Sequence, residues 1–432
     1  MKFALLNPNW DFKGSTYFGC QDPHTPLELL FAADQLSVAG YEALLIDAQT
    51  DNLTLENARR QLDAFAPDFL VIPTAPSYLF WRCPPPELRV PMEWFAGLRS
   101  KAVKVAIGPH PSATPAPTIR KIGCDVALRG EPDQILAELA CRPWGEIIGC
   151  CFKKDDGQLH ISPTSAVSDM AALGPLDFKN YNVEAHWHRH HVFTNDHGIG
   201  AELEFARGCP WACTFCNKTL FRNKFRERSV DAVLQEVDTL IARGVEYIYF
   251  IDEIFGVGKN VHRLLEGIAE RPVKIGFQTR IDLWNEETLD LLGRAHCISI
   301  ECGVESITHE GREDLNKNCR MGTDRIAELL VYARGRIPWV QANLILTERD
   351  DRKQILRWQE MLKSKGVWVS EPVPMFPFPG SPLYTQTFSA APDDMAWERA
   401  HRHYTSMFAG RGYSDIQEQT PRAIEELESC IY

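Results

Sequence analysis

The stretch "RGCPWACTFCNK", residues 207–218, puts Cys209, Cys213 and Cys216 on one short run. Three thiols so close can hold metal, yet structural zinc sites take four protein ligands and ferredoxin runs supply four thiolates per cluster. The C-x3-C-x2-C spacing matches neither. On spacing alone two arrangements stay open. One is zinc with a distant fourth ligand, for which Cys297, Cys302 and His296 are available. The other is three corners of an iron–sulfur cube, with one iron left without a protein ligand.

The residues around the run predict where it sits. From residue 200 onward six strand-like segments recur between helical patterns: "ELEFAR", "YIYFID", "KIGFQTR", "CISIECGVE", "WVQANLILT" and "VWVSEPVPMF". The clearest helix spans 229–244, where Val230, Val233, Leu234, Val237, Leu240 and Ile241 form one stripe. Ser229 can cap its start and Gly244 can close its end. Repeated βα units predict a parallel barrel, or part of one, with chemistry at the carboxyl ends of the strands. The cysteine run follows the first strand, at that end.

The C-x3-C-x2-C run is also the motif of the radical SAM superfamily, which residues 200–385 resemble in order and place. Phe215, just before the last cysteine, is in that pattern. "YIYFIDEIFG" ends the second strand with Asp252 and Glu253, where relatives place groups that hold the methionine ammonium of S-adenosylmethionine; carboxylates suit a cation because the hydrogen bonds are charge-assisted. "FQTRIDLW" sets Arg280 at the end of the third strand, to meet a carboxylate or ribose. "CGVESIT" ends the fourth with Glu305 and Ser306, matching the family's Gly-x-Glu-Ser. In "NLILTERDDRKQ" the family's glycine–proline turn and Glu-Thr are absent, and Asn343 is the residue left to face adenosine. "FPFPGSPLY" resembles the turn that precedes the family's carboxyl-terminal cap.

Residues 1–145 alternate strand and helix patterns. "KFALLNP", "YEALLIDA", "PDFLVIPT", "VKVAIGP" and "CDVALRG" are nearly continuous apolar runs, as expected of parallel strands buried on both faces. The alternation predicts a doubly wound, Rossmann-like α/β sheet, whose ligands sit beyond the carboxyl ends of the strands. Those ends carry Asn7 and Pro8, Thr74 to Ser77, Gly108 with His110 and Ser112, and Gly130 with Glu131. No G-x-G-x-x-G follows the first strand, which argues against a dinucleotide. The run "IGPHPSATPAPTIRKIGCDVALRGEPDQIL" resembles the cobalamin-binding domain found ahead of many radical SAM enzymes, and "PLELLFAADQLSVAGYEALLIDA" is similar to its first helix and second strand. Cobalamin domains that give cobalt a histidine carry D-x-H-x-x-G; here "DPHTPL" has Asp22 and His24 but Leu27 in place of glycine. His24 is therefore read as packing at the helix entry, with a place on the lower cobalt face as its alternative role.

The resemblance implies a domain order of 1–145 for cobalamin, a linker over 146–196, a radical SAM partial (β/α)6 barrel over 197–385 and a helical cap over 386–432 that carries Trp397, His401, His403 and Tyr404. In the linker "KKDDGQLHISP" reads as a hairpin, and "HWHRHH" (His186, His188, His190, His191) lacks the partners of a metal site. "FWRCPPPELRVP", residues 80–91, reads as a stiff extended loop over the ligand face.

The cofactors implied are a [4Fe–4S] cluster on Cys209, Cys213 and Cys216, S-adenosylmethionine and cobalamin. The chemistry implied is a 5′-deoxyadenosyl radical that takes hydrogen from an unactivated carbon, and methylcobalamin that methylates it, on a small-molecule or carbohydrate-type substrate. A flavodoxin or ferredoxin would supply the electron. Oxidative cyclisation or rearrangement without methylation is the nearest alternative, and a non-catalytic zinc-stabilised binding protein the most distant. A methylthiotransferase would need a second cluster, for which Cys20, Cys83, Cys124, Cys141, Cys150 and Cys151 are present in unmatched surroundings.

Bulk properties agree. At 44% hydrophobic and 24% charged, the 432 residues are those of a folded globular protein. The net charge of -12, with no basic block, argues against nucleic acid as a partner. No apolar run is long enough for a bilayer, and "MKFALLNPNWDF" turns polar too soon for a signal peptide. Thirteen scattered cysteines fit a reducing cytoplasm.

Overall fold

Parallel strands form where β-branched and leucine-rich runs are long enough to cross a core and too short for a helix, and both halves of the chain are built on them. The computed structural model describes residues 1–10, 23–77, 88–185, 198–220, 222 and 224–407. Cys20, Asp22, Cys83, most of the proline-rich run and the four histidines of "HWHRHH" lie outside the described residues. The chain divides into two compact units. The first comprises Met1–His186, Cys216–Asn223 and Pro377–Tyr432, the second Trp187–Phe215 and Lys224–Phe376.

In the first unit the strands are β1 (Lys2–Asn7), β2 (Glu42–Asp47), β3 (Phe69–Pro73), β4 (Val103–Ile107), β5 (Val126–Leu128), β6 (Cys150–Lys153) and β7 (Leu159–His160). They make one sheet in the order β2-β1-β3-β4-β5-β6-β7, parallel through β5. Alternate residues of each strand feed two cores. Ala4, Leu6, Leu70 and Ile72 pack with α2 (Leu55–Phe65) and α3 (Arg89–Leu98), whereas Phe3, Leu5 and Val71 pack with α1 (Leu27–Val38). That is the doubly wound arrangement expected. The hairpin 150–160, assigned to the linker on sequence, instead extends the sheet antiparallel to β5. The reason is burial: Cys150 and Cys151 are fully enclosed, one in each core.

The short helices α4 (Pro109–Ala113) and α5 (Pro115–Ile122) follow β4. The second unit contains β8 (Gly200–Leu203), the small antiparallel pair β9 (Ala206–Arg207) and β10 (Arg226–Glu227), then α6 (Val230–Ala242), β11 (Tyr247–Phe250), α7 (Val261–Ala269), β12 (Lys274–Thr279), α8 (Glu286–Arg294), β13 (Cys297–Glu305), α9 (His309–Asp314), α10 (Thr323–Arg334), β14 (Trp339–Leu344), α11 (Arg352–Lys363) and β15 (Trp368–Val369). Six strands form a wholly parallel sheet in chain order, β8-β11-β12-β13-β14-β15. Each of the six corresponds to a segment expected from the sequence.

One face of that sheet is apolar, with Ala201, Leu203, Ile248, Phe250, Phe277, Ile300 and Val340 buried. The connecting helices offer matching stripes. In α6 Val230, Val233, Val237 and Leu240 are buried, but Ser229 makes no side-chain cap, and Leu234 and Ile241 are only half-buried. The other face carries Glu202, Tyr249, Gln278, Glu301, Gln341 and Asn343 in neighbouring register. After β15 come α12 (Pro382–Phe388) and α13 (Ala396–Ser406), and α13 packs within the first unit: Trp397 donates to Thr114 at 2.9 Å and its ring lies 4.4 Å from that of His110. Among the described residues no helix is long and apolar enough to cross a membrane.

Candidate active site

The chain leaves β8 under tight control. Asp252, at the end of β11, accepts the backbone N–H of Phe205 and of Ala206, each at 2.9 Å, and Glu253 accepts that of Gly208 at 2.7 Å. Gly208 stands at φ +85°, where a side chain would strain the backbone, so the turn into Cys209 needs glycine. Arg207 is locked on Glu204 at 2.7 Å with both side chains buried. Burial pushes the Asp252 carboxyl well above its usual range, against the two N–H groups it accepts and with the charges of Glu204 and Glu253 adding to the rise. The geometry makes Asp252 a brace for the cysteine loop; Glu253 is the more exposed of the two acids.

Cys209, Cys213 and Cys216 are half-exposed, unlike the buried thiols of Cys124, Cys150, Cys151, Cys297, Cys302 and Cys319. Cys209 and Cys213 lie in the second unit, and Cys216 opens the short segment grouped with the first. Three accessible thiols on one braced loop, at the carboxyl end of a parallel strand, suit a cluster that must meet a small molecule. Among the described residues no three Cys, His, Asp or Glu side chains converge as a single-ion site; thiolates that each bind a different iron of a cube need not converge.

The zinc alternative fares worse. His296 and Cys297 lie at the amino-terminal edge of the parallel sheet, opposite the cysteine loop, because Cys297 opens β13 and pairs with Ile275. Cys302 is enclosed in register with Thr279 and Ala342, and burial pushes both the Cys297 and Cys302 thiols far up. For a second cluster, Cys150 and Cys151 point into opposite cores, and burial pushes Cys124 and Cys150 up to about 12.

The remaining residues singled out from the sequence lie near the carboxyl ends of their strands. Arg280 forks onto Asp282 (3.0 and 2.6 Å), donates to the Lys317 carbonyl at 2.7 Å and lies 4.3 Å over the ring of Trp211, inside the cysteine run. Burial works against an ionised Asp282, but the bond and charge of Arg280 outweigh it and hold the carboxyl below its usual range. Glu305 has a φ of +67° at a register shift in β13 and accepts the Lys317 ammonium at 3.0 Å. An added Cβ on Gly303 would stand 2.4 Å from Glu305 Oε1, so glycine there leaves room for the carboxylate. Ser306 is buried and donates to Asp350 at 2.8 Å. Asn343 accepts from Gln341 at 2.7 Å, and it and Phe215 are half-buried.

Asp282, Asn316 and Lys317 were invisible to motif reading, since none belongs to a spaced pattern. The one available signal was "LNKNC", where two asparagines flag left-handed turns.

In the first unit the carboxyl ends of neighbouring strands are stitched together. Asn7 donates to Asp47 and accepts from Trp10, both at 2.8 Å, and Pro8 follows it, buried. Thr74 donates to the Ile107 carbonyl at 3.1 Å, and Glu28 accepts from Ser77. Ser112 donates to the Gly108 carbonyl at 2.6 Å and accepts from Gly130 N–H at 2.9 Å. Gly108 has φ +110° and ψ -156°, a glycine conformation that leaves a turn lined by backbone. Glu131 accepts from Ser168 N–H at 2.8 Å and faces Arg222 at 3.7 Å, both side chains fully buried. His110 is enclosed against Trp397, and His24 lies buried before α1.

Comparison with known proteins supplies the frame for these observations. The Radical SAM superfamily model matches residues 203–358. The chain is 26% identical over 373 residues to the hopanoid C-3 methylase of Methylococcus capsulatus, covering 81% of this chain and 67% of that one. It is 22% identical over 420 residues to the anaerobic magnesium-protoporphyrin IX monomethyl ester cyclase of Cereibacter sphaeroides, covering 89% and 63%. Among solved structures, the radical S-adenosylmethionine methyltransferase TsrM of Kitasatospora setae, with tryptophan and an S-adenosylmethionine analogue bound, is similar at a TM-score of 0.72 and 16% identity, covering 89% of this chain and 76% of that one. The same protein with cobalamin and a [4Fe–4S] cluster gives 0.68. With its cysteine motif on a braced loop at the end of β8, residues 203–358 of this chain match the radical SAM superfamily.

Proposed function

We propose that this chain is a cobalamin-dependent radical SAM enzyme that methylates an unactivated carbon of a small-molecule substrate. The observation that carries it is the pairing, in one chain, of the radical SAM segment with a β2-β1-β3-β4-β5 sheet whose carboxyl ends are backbone-lined and stitched by Ser112. The likeness to TsrM over most of the chain and the identity to a methylase support it.

When bound, the cluster supplies one electron to open the sulfonium of S-adenosylmethionine, and cobalamin supplies the methyl group. The chain's own residues bind and orient. Cys209, Cys213 and Cys216 hold the cluster. Glu253, Glu305, Asn343 and Phe215, half-buried at the strand ends, contact S-adenosylmethionine; Asp252, Arg280 and Ser306 hold those residues and the loop in place. Asn7, Pro8, Thr74, Gly108, His110, Ser112, Gly130 and Glu131 would shape the cobalamin site. A flavodoxin or ferredoxin donates the electron.

The test is anaerobic reconstitution with iron, sulfide and cobalamin, then incubation with S-adenosylmethionine, reductant and fractionated metabolites. The expected result is 5′-deoxyadenosine together with a product heavier by one methylene. Release of 5′-deoxyadenosine with a cyclised or rearranged product of other mass would instead establish the second reading, which the likeness to the ester cyclase favours.

A further inference from the structure

The cysteine loop rests on a turn that lies outside the family motif. After α9 the chain passes through 315–319, where Asn316 and Asn318 take left-handed φ values of 51° and 52°. Asparagine is among the few residues that accept this conformation readily. The turn presents the Leu315 carbonyl to Thr214 N–H at 3.0 Å and the Asn316 amide to the Ala212 carbonyl at 2.7 Å. It also gives the Lys317 carbonyl to Arg280 at 2.7 Å, and Arg280 in turn covers Trp211. Residues 211, 212 and 214, which surround Cys213, are thus each held by this turn or by the arginine it anchors. The side chain of Lys317 runs the other way, to Glu305 at 3.0 Å, with only 4% of the lysine and 14% of the glutamate exposed.

We propose that Leu315–Lys317 and Arg280 form a seat that sets the cysteine loop for its cluster, and that Lys317 ties this seat to Glu305. The inference rests on the reading that the three cysteines hold a cluster and that Glu305 meets S-adenosylmethionine. A loop already fixed in the binding geometry loses little conformational entropy when it takes up its ligand, so the seat strengthens cluster retention. Lys317 shares the Glu305 carboxylate with whatever polar group of S-adenosylmethionine approaches it. Its backbone carbonyl simultaneously anchors Arg280. Occupation of one end is therefore linked to the other, and linkage acts in both directions.

The experiment uses the full chain, reconstituted anaerobically, with iron per chain and the EPR spectrum of the reduced cluster as readouts, before and after S-adenosylmethionine. Arg280→Gln removes fork and stack, while Arg280→Lys keeps the charge and loses the planar fork. Asn316→Gly deletes an exposed amide yet keeps the left-handed turn. At limiting iron, Arg280→Gln and Asn316→Gly are expected to retain about tenfold less cluster than the unaltered chain, with Arg280→Lys between. Lys317→Met is expected to keep full iron but to need about tenfold more S-adenosylmethionine for the spectral change. Full loading of both Arg280→Gln and Asn316→Gly would overturn the seat, and an unaltered spectral response in Lys317→Met would overturn the tie to Glu305. Cys213→Ala loses cluster and response together and so reports on the underlying reading alone.

Discussion

Arg228 shows what a single residue can hide from sequence. Its two terminal nitrogens sit on Glu236 at 2.8 and 2.6 Å, with both side chains fully buried on the inner side of α6. A periodic stripe read from sequence gives that side to Leu234 and Ile241, because a glutamate in the pattern is taken as solvated. Only the fold reveals that Arg228, eight residues earlier, neutralises it. Removing one partner strands a buried charge, so Arg228→Ala is expected to cost about 3–5 kcal/mol, while an Arg228→Met, Glu236→Leu pair recovers most of that loss. Urea midpoints of the two variants check this, and equal midpoints would contradict it. The positive φ of Glu305 and of Asn316 is equally silent in sequence. Both follow from where neighbouring strands shift register or turn, which residue type alone does not specify.

At the scale of elements, the legible parts are those whose environment is uniform along their length. Parallel strands buried on both faces read as nearly continuous apolar runs, those with one polar face as alternation, and eleven segments named from sequence are strands β1–β5, β8 and β11–β15. The β6–β7 pair was legible as a hairpin but not as part of the sheet, since its edge partner is set by tertiary packing. The helix α13 was legible as a helix, but its partner Thr114 lies 283 residues away. His401, on this helix, is 1% exposed. Burial, with the Arg402 charge adding to it, pulls its pKa down to about 4. A histidine depressed in the folded state stays neutral there, while the unfolded chain takes up its proton below the ordinary value near 6.5. Stability is thus unaffected above that pH, falls as pH drops from about 6.5 to about 4 by up to about 3 kcal/mol, and is not lost further below. The difference in urea midpoint between neutral pH and pH 5 should shrink in His401→Asn. A loss as large as that of the unaltered chain would sink the assignment.

At the scale of the whole molecule, the proposed function draws on both compact units, whose bounds depart from the order expected from sequence: residues 216–223 and 377–385, expected in the barrel, group with the first unit. The proposed cluster ligands stand out in the sequence because a cluster demands one residue type at fixed spacing. The proposed strand-end contacts stand out because parallel sheets place function there. The braces do not, since Asp282, Asn316 and Lys317 act through backbone carbonyls and ion pairs that any sequence near them could supply. The division has a consequence for cofactor loading. Cys209 and Cys213 lie in the second unit, whereas Gly108, Ser112 and Gly130 lie in the first, as does Cys216. Replacing all three motif cysteines with alanine is therefore expected to abolish iron binding and 5′-deoxyadenosine formation while cobalamin still binds. Ser112→Ala has the converse effect: it removes both bonds that join the Gly108 and Gly130 turns, and cobalamin affinity should fall about tenfold, as the loss of a buried hydrogen-bond pair implies, with iron per chain unchanged. Equilibrium dialysis with cobalamin beside iron analysis separates the two effects. Loss of cobalamin in the cysteine variant, or loss of iron in Ser112→Ala, would mean that neither site is loaded independently of the other.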